Sequence, residues 1–240
     1  MLHKTRGIVL KSTNYSESSV VAQIFTEKFG LQSYIINGAR RPKAKIGVTI
    51  LQPLHLLDMV VYHRENTSLQ RISEARQQPP FQTIPYDIAK SAVLLFLNEI
   101  LYKCLRQQST DEPLFDYVFN AVSWLDSLEK MPPNFHLLFL LKLSRYLGFH
   151  PALPKSSQTF FDLKDGVFCS SLPAHALVLQ EPHTSQLAAL LACSFDRLGS
   201  LQISLADRRF LLEKLIDFYR FHVENMGEIK SHGVLEEVLG

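Results

Sequence analysis

The hydrophobic period of this chain changes once, at Gln77-Gln78-Pro79-Pro80, and that change limits the folds open to it. Ahead of it, short segments rich in Val, Ile, Phe and Tyr alternate with turn residues, the pattern of half-buried strands. Behind it, apolar residues recur at helical spacing over longer runs. Two prolines cannot donate to a sheet ladder, and they restrict the residue before them, so the two regimes meet here. An α+β chain follows, with a β domain over residues 1–78 and a helical domain over residues 79–240.

Strands are expected at 6–12, 19–25, 31–37, 49–63 (bent or interrupted at Pro53) and 67–76. Five strands in so short a stretch fit a small barrel, and the five-stranded OB-fold matches that count. Pattern alone leaves an SH3-like barrel or a small sandwich open.

After Pro85 the segment 88–105 is apolar around nearly its whole helical circumference, as in a helix buried on most sides. Asp111-Glu112-Pro113 opens a second helix that runs to about residue 130. Asn134 is placed to cap a third, 135–147, closed by Gly148. Two more are expected at 185–195 after Thr184 and at 206–225 after Ser204, where Asp207 completes a capping box. Between the third and fourth, residues 160–168 read as a short hairpin insert turning at Asp165-Gly166.

Charge is sorted along the chain. Residues 1–76 hold 11 Lys and Arg against 5 Asp and Glu, whereas residues 77–240 hold 14 against 18. A basic module joined to a slightly acidic body is implied. The sequence has no phosphate-binding glycine loop, no dinucleotide fingerprint, no His-Glu-x-x-His and no nucleophile elbow, so no catalytic residues and no cofactor are assigned. Cys104, Cys169 and Cys193 stand far apart, which supports neither a disulfide framework nor a metal site. Cys104 and Cys193 read as small buried hydrophobes, and His136 and His222 as core or boundary histidines. No signal peptide or membrane span is recognisable, and a cytosolic protein is expected.

The basic excess concentrates in Asn37-Gly38-Ala39-Arg40-Arg41-Pro42-Lys43-Ala44-Lys45, four cations in six positions directly after a strand pattern. Clustered cations attract phosphate backbones, and single strands are held when aromatic faces are added. Arg40, Arg41, Lys43 and Lys45 are therefore candidate DNA contacts, joined by Lys4, Arg6 and Lys11 on the first strand and by Tyr34 as an aromatic platform. On charge alone a solvated loop that merely aids solubility fits the same run and is the commoner outcome. Strand aromatics, likewise, are more often core.

Thr5-Arg6-Gly7-Ile8-Val9-Leu10, Tyr15-Ser16-Glu17-Ser18, Phe25-Thr26-Glu27-Lys28-Phe29-Gly30 and Gly38-Ala39-Arg40-Arg41-Pro42-Lys43 resemble, in order and spacing, the N-terminal domain of the bacterial RecO family. Leu143-Ser144-Arg145-Tyr146-Leu147-Gly148-Phe149-His150-Pro151 and Ile229-Lys230-Ser231 extend the resemblance over nearly the whole chain. It implies an OB-fold followed by a helical domain, no catalytic site, and a cytoplasmic, nucleoid-associated role in recombinational repair. It also implies partners: single- and double-stranded DNA, RecR, the acidic tail of single-strand-binding protein and, indirectly, RecA. The family's basic surface falls on Arg40, Arg41, Lys43 and Lys45. Many members carry a zinc-binding cysteine module near the hairpin, but Cys169 stands alone here, so no zinc is expected. Ser19 and Ala44 replace residues that are often Asp and Ser in the family.

A second candidate site follows from the third helix. Lys142 and Arg145, spaced i and i+3, share a side with Leu138 and Phe149. The resemblance implies that the tail of single-strand-binding protein binds there; snorkelling surface cations on a core helix fit the same residues equally well. The alternative to a DNA-binding mediator is a structural adaptor whose helical body docks proteins and whose barrel touches no DNA.

Overall fold

The computed structural model describes residues 1–65, 67–105, 110–155 and 157–239. They form two compact units, Met1–Glu129 and Lys130–Gly240.

In the first unit β1 (Leu2–Asn14), β2 (Val20–Thr26), β3 (Gly30–Ile36), β4 (Leu56–Tyr62) and β5 (Leu69–Gln77) close into a barrel in the order β1-β2-β3-β5-β4. Only the β3 and β5 pairing is parallel; the other neighbours are antiparallel. This is the expected OB-fold. Strand alternation decides its interior: Val20, Ala22 and Ile24 of β2, Tyr34 and Ile36 of β3, and Leu57, Met59 and Val61 of β4 all point inward. Gly7 admits that packing, since a Cβ there would lie 2.5 Å from Met59 Cε and 2.7 Å from Ile24 Cγ2.

The strand expected over 49–63 is interrupted at Pro53 as anticipated, but the residues before the break are corrected from strand to a 3-10 turn. Val48–Leu51 forms a 3-10 turn, the chain turns through Leu54 at φ +56°, and β4 starts only at Leu56. Pro53 has no N–H for a ladder. Leu51 and Leu54 are buried nonetheless, Leu51 within the barrel's own core cluster, so their apolar character serves packing without a strand.

Two helices complete this unit, α1 (Ile88–Cys104) and α2 (Glu112–Ser127). Asp87 caps α1 by accepting from the Ala89 and Lys90 amides, and Asp111 caps α2 by accepting from Leu114. Together they cover the part of the outer face of β1 and β2 that carries Ile8, Leu10 and Phe25. Asn98 Nδ2 donates to the Leu10 carbonyl at 3.0 Å, and the Phe115 ring lies 5.6 Å from that of Phe25. Ile8, Leu10 and Phe25 are accordingly buried on the outside of the barrel as thoroughly as the residues within it. The connection after the prolines is bound back to α2: the Asp126 carboxylate accepts from the amides of Gln82, Thr83 and Ile84 at 2.8, 2.9 and 3.0 Å. Beside it the wholly buried Lys90 ammonium donates to Thr83 Oγ1 at 2.6 Å and to the Leu128 carbonyl.

The second unit is built on α3 (Phe135–Tyr146), in which Leu137 to Leu141 are all buried. Gly148, at φ +86°, ends it: the Phe149 amide reaches back to the Ser144 carbonyl at 3.0 Å, as in a Schellman cap. Asn134 does not cap with its side chain; Nδ2 donates to the Leu201 carbonyl at 2.8 Å instead. α4 (His183–Ala192) begins before Thr184, which is buried inside it, and α5 (Leu205–His222) takes the expected Ser204 cap at the Asp207 amide. Tyr219 of α5 donates to the Leu140 carbonyl at 2.6 Å, fixing α5 on α3. The hairpin is present as β6 (Phe160–Asp162) and β7 (Val167–Cys169), with Gly166 at φ +69° in its turn. A third strand, β8 (Val178–Leu179), and a last helix, α6 (Ser231–Val238), complete the unit.

Candidate nucleic-acid interface

The basic loop leaves the barrel at Ile36 and reverses at Gly38, whose φ of +72° suits glycine. Two tight turns follow, closed by the Arg41 amide on the Gly38 carbonyl at 3.0 Å and the Ala44 amide on the Arg41 carbonyl at 3.1 Å. Ala39 and Ile46 are buried in the barrel core and pin the loop at both ends. Between these pins, Arg40, Arg41, Lys43 and Lys45 are all exposed. The loop is also docked sideways. The Arg40 amide donates to the Ser18 carbonyl at 3.2 Å, and the Ser19 hydroxyl donates to Asn37 Oδ1 at 3.3 Å. Among the described residues Arg40, Arg41 and Lys43 have no carboxylate partner, whereas Lys45 pairs with Glu74 at 3.2 Å. Both members of that pair are largely solvated, so it is weak.

Tyr34 is corrected. It is 0% exposed inside the barrel, where burial raises its pKa and no base can reach its ring. The aromatic that the sequence reading missed is Tyr15, 64% exposed in the β1–β2 loop to which the basic loop is bonded. Its signal was there to read: a tyrosine between turn residues, with no apolar neighbour to bury it.

Arg6 is committed elsewhere. Its guanidinium donates to Glu27 at 2.9 and 3.1 Å and to Asp116 of α2 at 2.6 Å, and lies 5.1 and 5.0 Å from the Phe115 and Phe119 ring centres. The hydrogen bond to Glu27 raises the Arg6 pKa, and the same bond holds the Glu27 carboxyl below its ordinary range. Lys11 is exposed at the other end of β1, its Nζ 5.0 Å from the Tyr102 ring centre and 3.4 Å from its hydroxyl.

A cleft of about 780 Å³ crosses the outer face of β1, β4 and β5 and includes Arg6, Lys45 and Arg76 in its lining. Glu27, Glu74 and Asp58 pair with those three cations in turn, while the exposed Lys4 and Lys28 in the same lining leave the cleft with an excess of positive charge. The unpaired cations of the basic loop, Arg40, Arg41 and Lys43, lie outside this lining.

In the second unit Leu138 is corrected from a contact residue to a core residue, at 0% exposure. Phe149 is half-buried and stacks on His222 at 5.1 Å and 12°, with Phe218 and Tyr219 edge-on at 5.4 and 5.1 Å. Lys142 is half-buried and donates to the Leu191 carbonyl at 3.2 Å, while Arg145 is exposed in the last turn of α3, where a cation complements the helix dipole. Cys104 is buried and its thiol pushed up to about 12, while Cys193 is only half-buried at the end of α4. Among the described residues no three His, Cys, Asp or Glu side chains gather where a metal ion could sit, and no helix is long and apolar enough to cross a membrane.

Comparison with known proteins covers both units. Residues 1–81 match the family described as Recombination protein O N terminal, and residues 85–231 match Recombination protein O C terminal. The protein named DNA repair protein RecO in Phocaeicola vulgatus is 34% identical over 239 residues, covering 99% of each chain. Proteins of the same name in Bacteroides fragilis and Flavobacterium johnsoniae are 35% identical over 240 residues and 34% over 236, covering 99% and 98% of each chain.

Proposed function

Because the chain belongs to the RecO family, we propose that it serves recombinational DNA repair as a non-enzymatic mediator that binds DNA, anneals complementary strands and, with RecR, assists RecA loading. The observation that carries this reading is the set of exposed, unpaired cations Arg40, Arg41 and Lys43 on a loop pinned at Ala39 and Ile46 and bonded to the β1–β2 loop. Cations held in place this way neutralise phosphates without touching base edges. Bases stay free to pair, which is what annealing needs. Lys45 and Lys11 extend the cationic surface. Arg6 supports the barrel beneath it.

The second part of the proposal concerns the helical unit. Lys142 and Arg145 beside the half-exposed Phe149 suit an acidic, aromatic-ended peptide, the tail of single-strand-binding protein, with Leu138 as packing beneath. The site of action is the cytoplasm, at the nucleoid.

Complementary labelled strands coated with single-strand-binding protein supply the test. Accelerated annealing is expected. No acceleration, together with no shift of a labelled oligonucleotide at low salt, overturns the proposal and leaves the protein-docking adaptor. A tail peptide should lose affinity for Lys142→Ala with Arg145→Ala; undiminished binding moves that site elsewhere.

A further inference from the structure

The outer face of the barrel carries one continuous row of cross-strand partners. Thr13 of β1 pairs with Val21 of β2, Val21 with Ile35 of β3, Ile35 with Arg71 of β5, and Arg71 with Tyr62 of β4. Paired residues project from the same face. The four steps follow roughly 19 Å of curved surface around the closed barrel at the usual interstrand spacing. The row starts beside the β1–β2 loop, where Tyr15 and the docked basic loop stand, and it ends at Tyr62, where β4 enters the β4–β5 turn.

That far end has a cleft of its own, about 470 Å³, lined by Tyr62, Arg64, Thr67, Leu69, Gln70 and Arg71. Its volume lies within the range of roughly 300–1,000 Å³ usual for pockets that hold a small ligand. Tyr62 is 45% exposed, Arg64 and Arg71 are exposed, and among the described residues neither arginine has a carboxylate partner. The turn is braced from below. Gln70, only 3% exposed, donates through Nε2 to the Arg64 carbonyl at 2.9 Å and the Thr67 carbonyl at 2.7 Å, and accepts from the Arg64 amide at 3.1 Å. A buried amide making three bonds to one turn fixes the backbone that carries Arg64.

We propose that this cleft is a base-binding subsite, in which Tyr62 stacks an unpaired base of a DNA strand while Arg64 and Arg71 hold the flanking phosphates. The inference rests on the reading that the barrel binds DNA and adds where strand state is sensed. A ring can stack only on a base face that no neighbour covers, so the Tyr62 contact is open to single strands and closed to duplex. The basic loop touches phosphates, which both forms present.

The test is fluorescence anisotropy with the full-length protein and three labelled probes of equal length: an oligo-dT strand, the same backbone without bases, and a duplex. Wild-type protein should bind oligo-dT more tightly than the abasic strand. Tyr62→Ala should lose about tenfold on oligo-dT, nothing on the abasic strand or the duplex, and Tyr62→Phe should restore the affinity. Equal losses on oligo-dT and duplex, or equal wild-type affinity for the based and abasic strands, overturn the subsite. If Tyr62→Ala does not fold, Tyr62→Leu, which keeps bulk but has no aromatic face, carries the same comparison. Absence of wild-type binding to every probe sinks the DNA-binding reading itself. A loss on all probes for Arg40→Ala with Arg41→Ala, with no effect at Tyr62, sinks the subsite alone.

Discussion

The Arg40 guanidinium donates from Nη1 to the Glu17 carbonyl at 3.1 Å, so a cation of the basic loop also ties that loop to its neighbour. One contact uses only part of a five-donor fork, and the remaining N–H groups face solvent. On single strands, each phosphate neutralised contributes about 0.7 to the salt slope. Removing Arg40 and Arg41 together should make the slope of log affinity against log salt shallower by roughly 1.4. Anisotropy across a salt series checks this, and an unaltered slope would clear both residues of phosphate contact.

Tyr34 should behave as core. Tyr34→Ala removes a fully buried ring and should destabilise the barrel by about 3–5 kcal/mol, visible in urea unfolding. Tyr34→Phe keeps the ring, and DNA affinity should stay at the wild-type value. A selective loss of DNA binding by a stable Tyr34→Phe protein would argue against this placement.

Arg6 joins two carboxylates and two aromatic rings while still partly solvated. Arg6→Gln should cost about 1–3 kcal/mol of stability and leave the salt slope of DNA binding as it was. If the slope changes while the melting temperature does not, Arg6 contacts phosphate after all.

Acid should weaken the second unit through His136. Burial, then the nearby Arg208 charge, lowers its pKa from 6.5 to about 3. The unfolded chain takes up this proton below pH 6.5 and the folded chain does not until about pH 3, so the stability is whole above 6.5 and falls as pH drops through that window. The slope from this one group approaches about 1.4 kcal/mol per pH unit. Denaturation midpoints measured across the window should follow it, and His136→Leu should flatten it; an unchanged acid slope in that variant would assign the effect to other groups.

Much of this architecture was legible because local rules and tertiary context agree. The alternation in β2 and β3, the Ser204 cap and the Asp165-Gly166 turn survive into the fold because each is also what packing requires. Where context overrides pattern, the sequence misleads. Ile50, Leu51 and Leu54 look like strand residues, yet they lie in a 3-10 turn and the bend after Pro53, with Leu51 in the barrel core and Ile50 packed against it. Tyr34 and Tyr15 are the same residue type near the same loop, and only the pleat of β3 decides which one is hidden. The cations could be counted beforehand, but not how they divide: Lys45 faces Glu74 of β5, and Arg6 faces Glu27 beyond the end of β2 and Asp116 of α2, contacts made by the folded chain that a linear charge count does not contain.

The cover that α1 and α2 lay over Ile8, Leu10 and Phe25 bears on how this chain can be taken apart. A fragment cut between residues 81 and 85, where the two family matches meet, would bare a strip of greasy surface on the outside of the barrel and should self-associate. One ending at Glu129 keeps its lid. The portable piece is therefore the barrel with its two helices, and a lineage borrowing it for another purpose would have to inherit all three together.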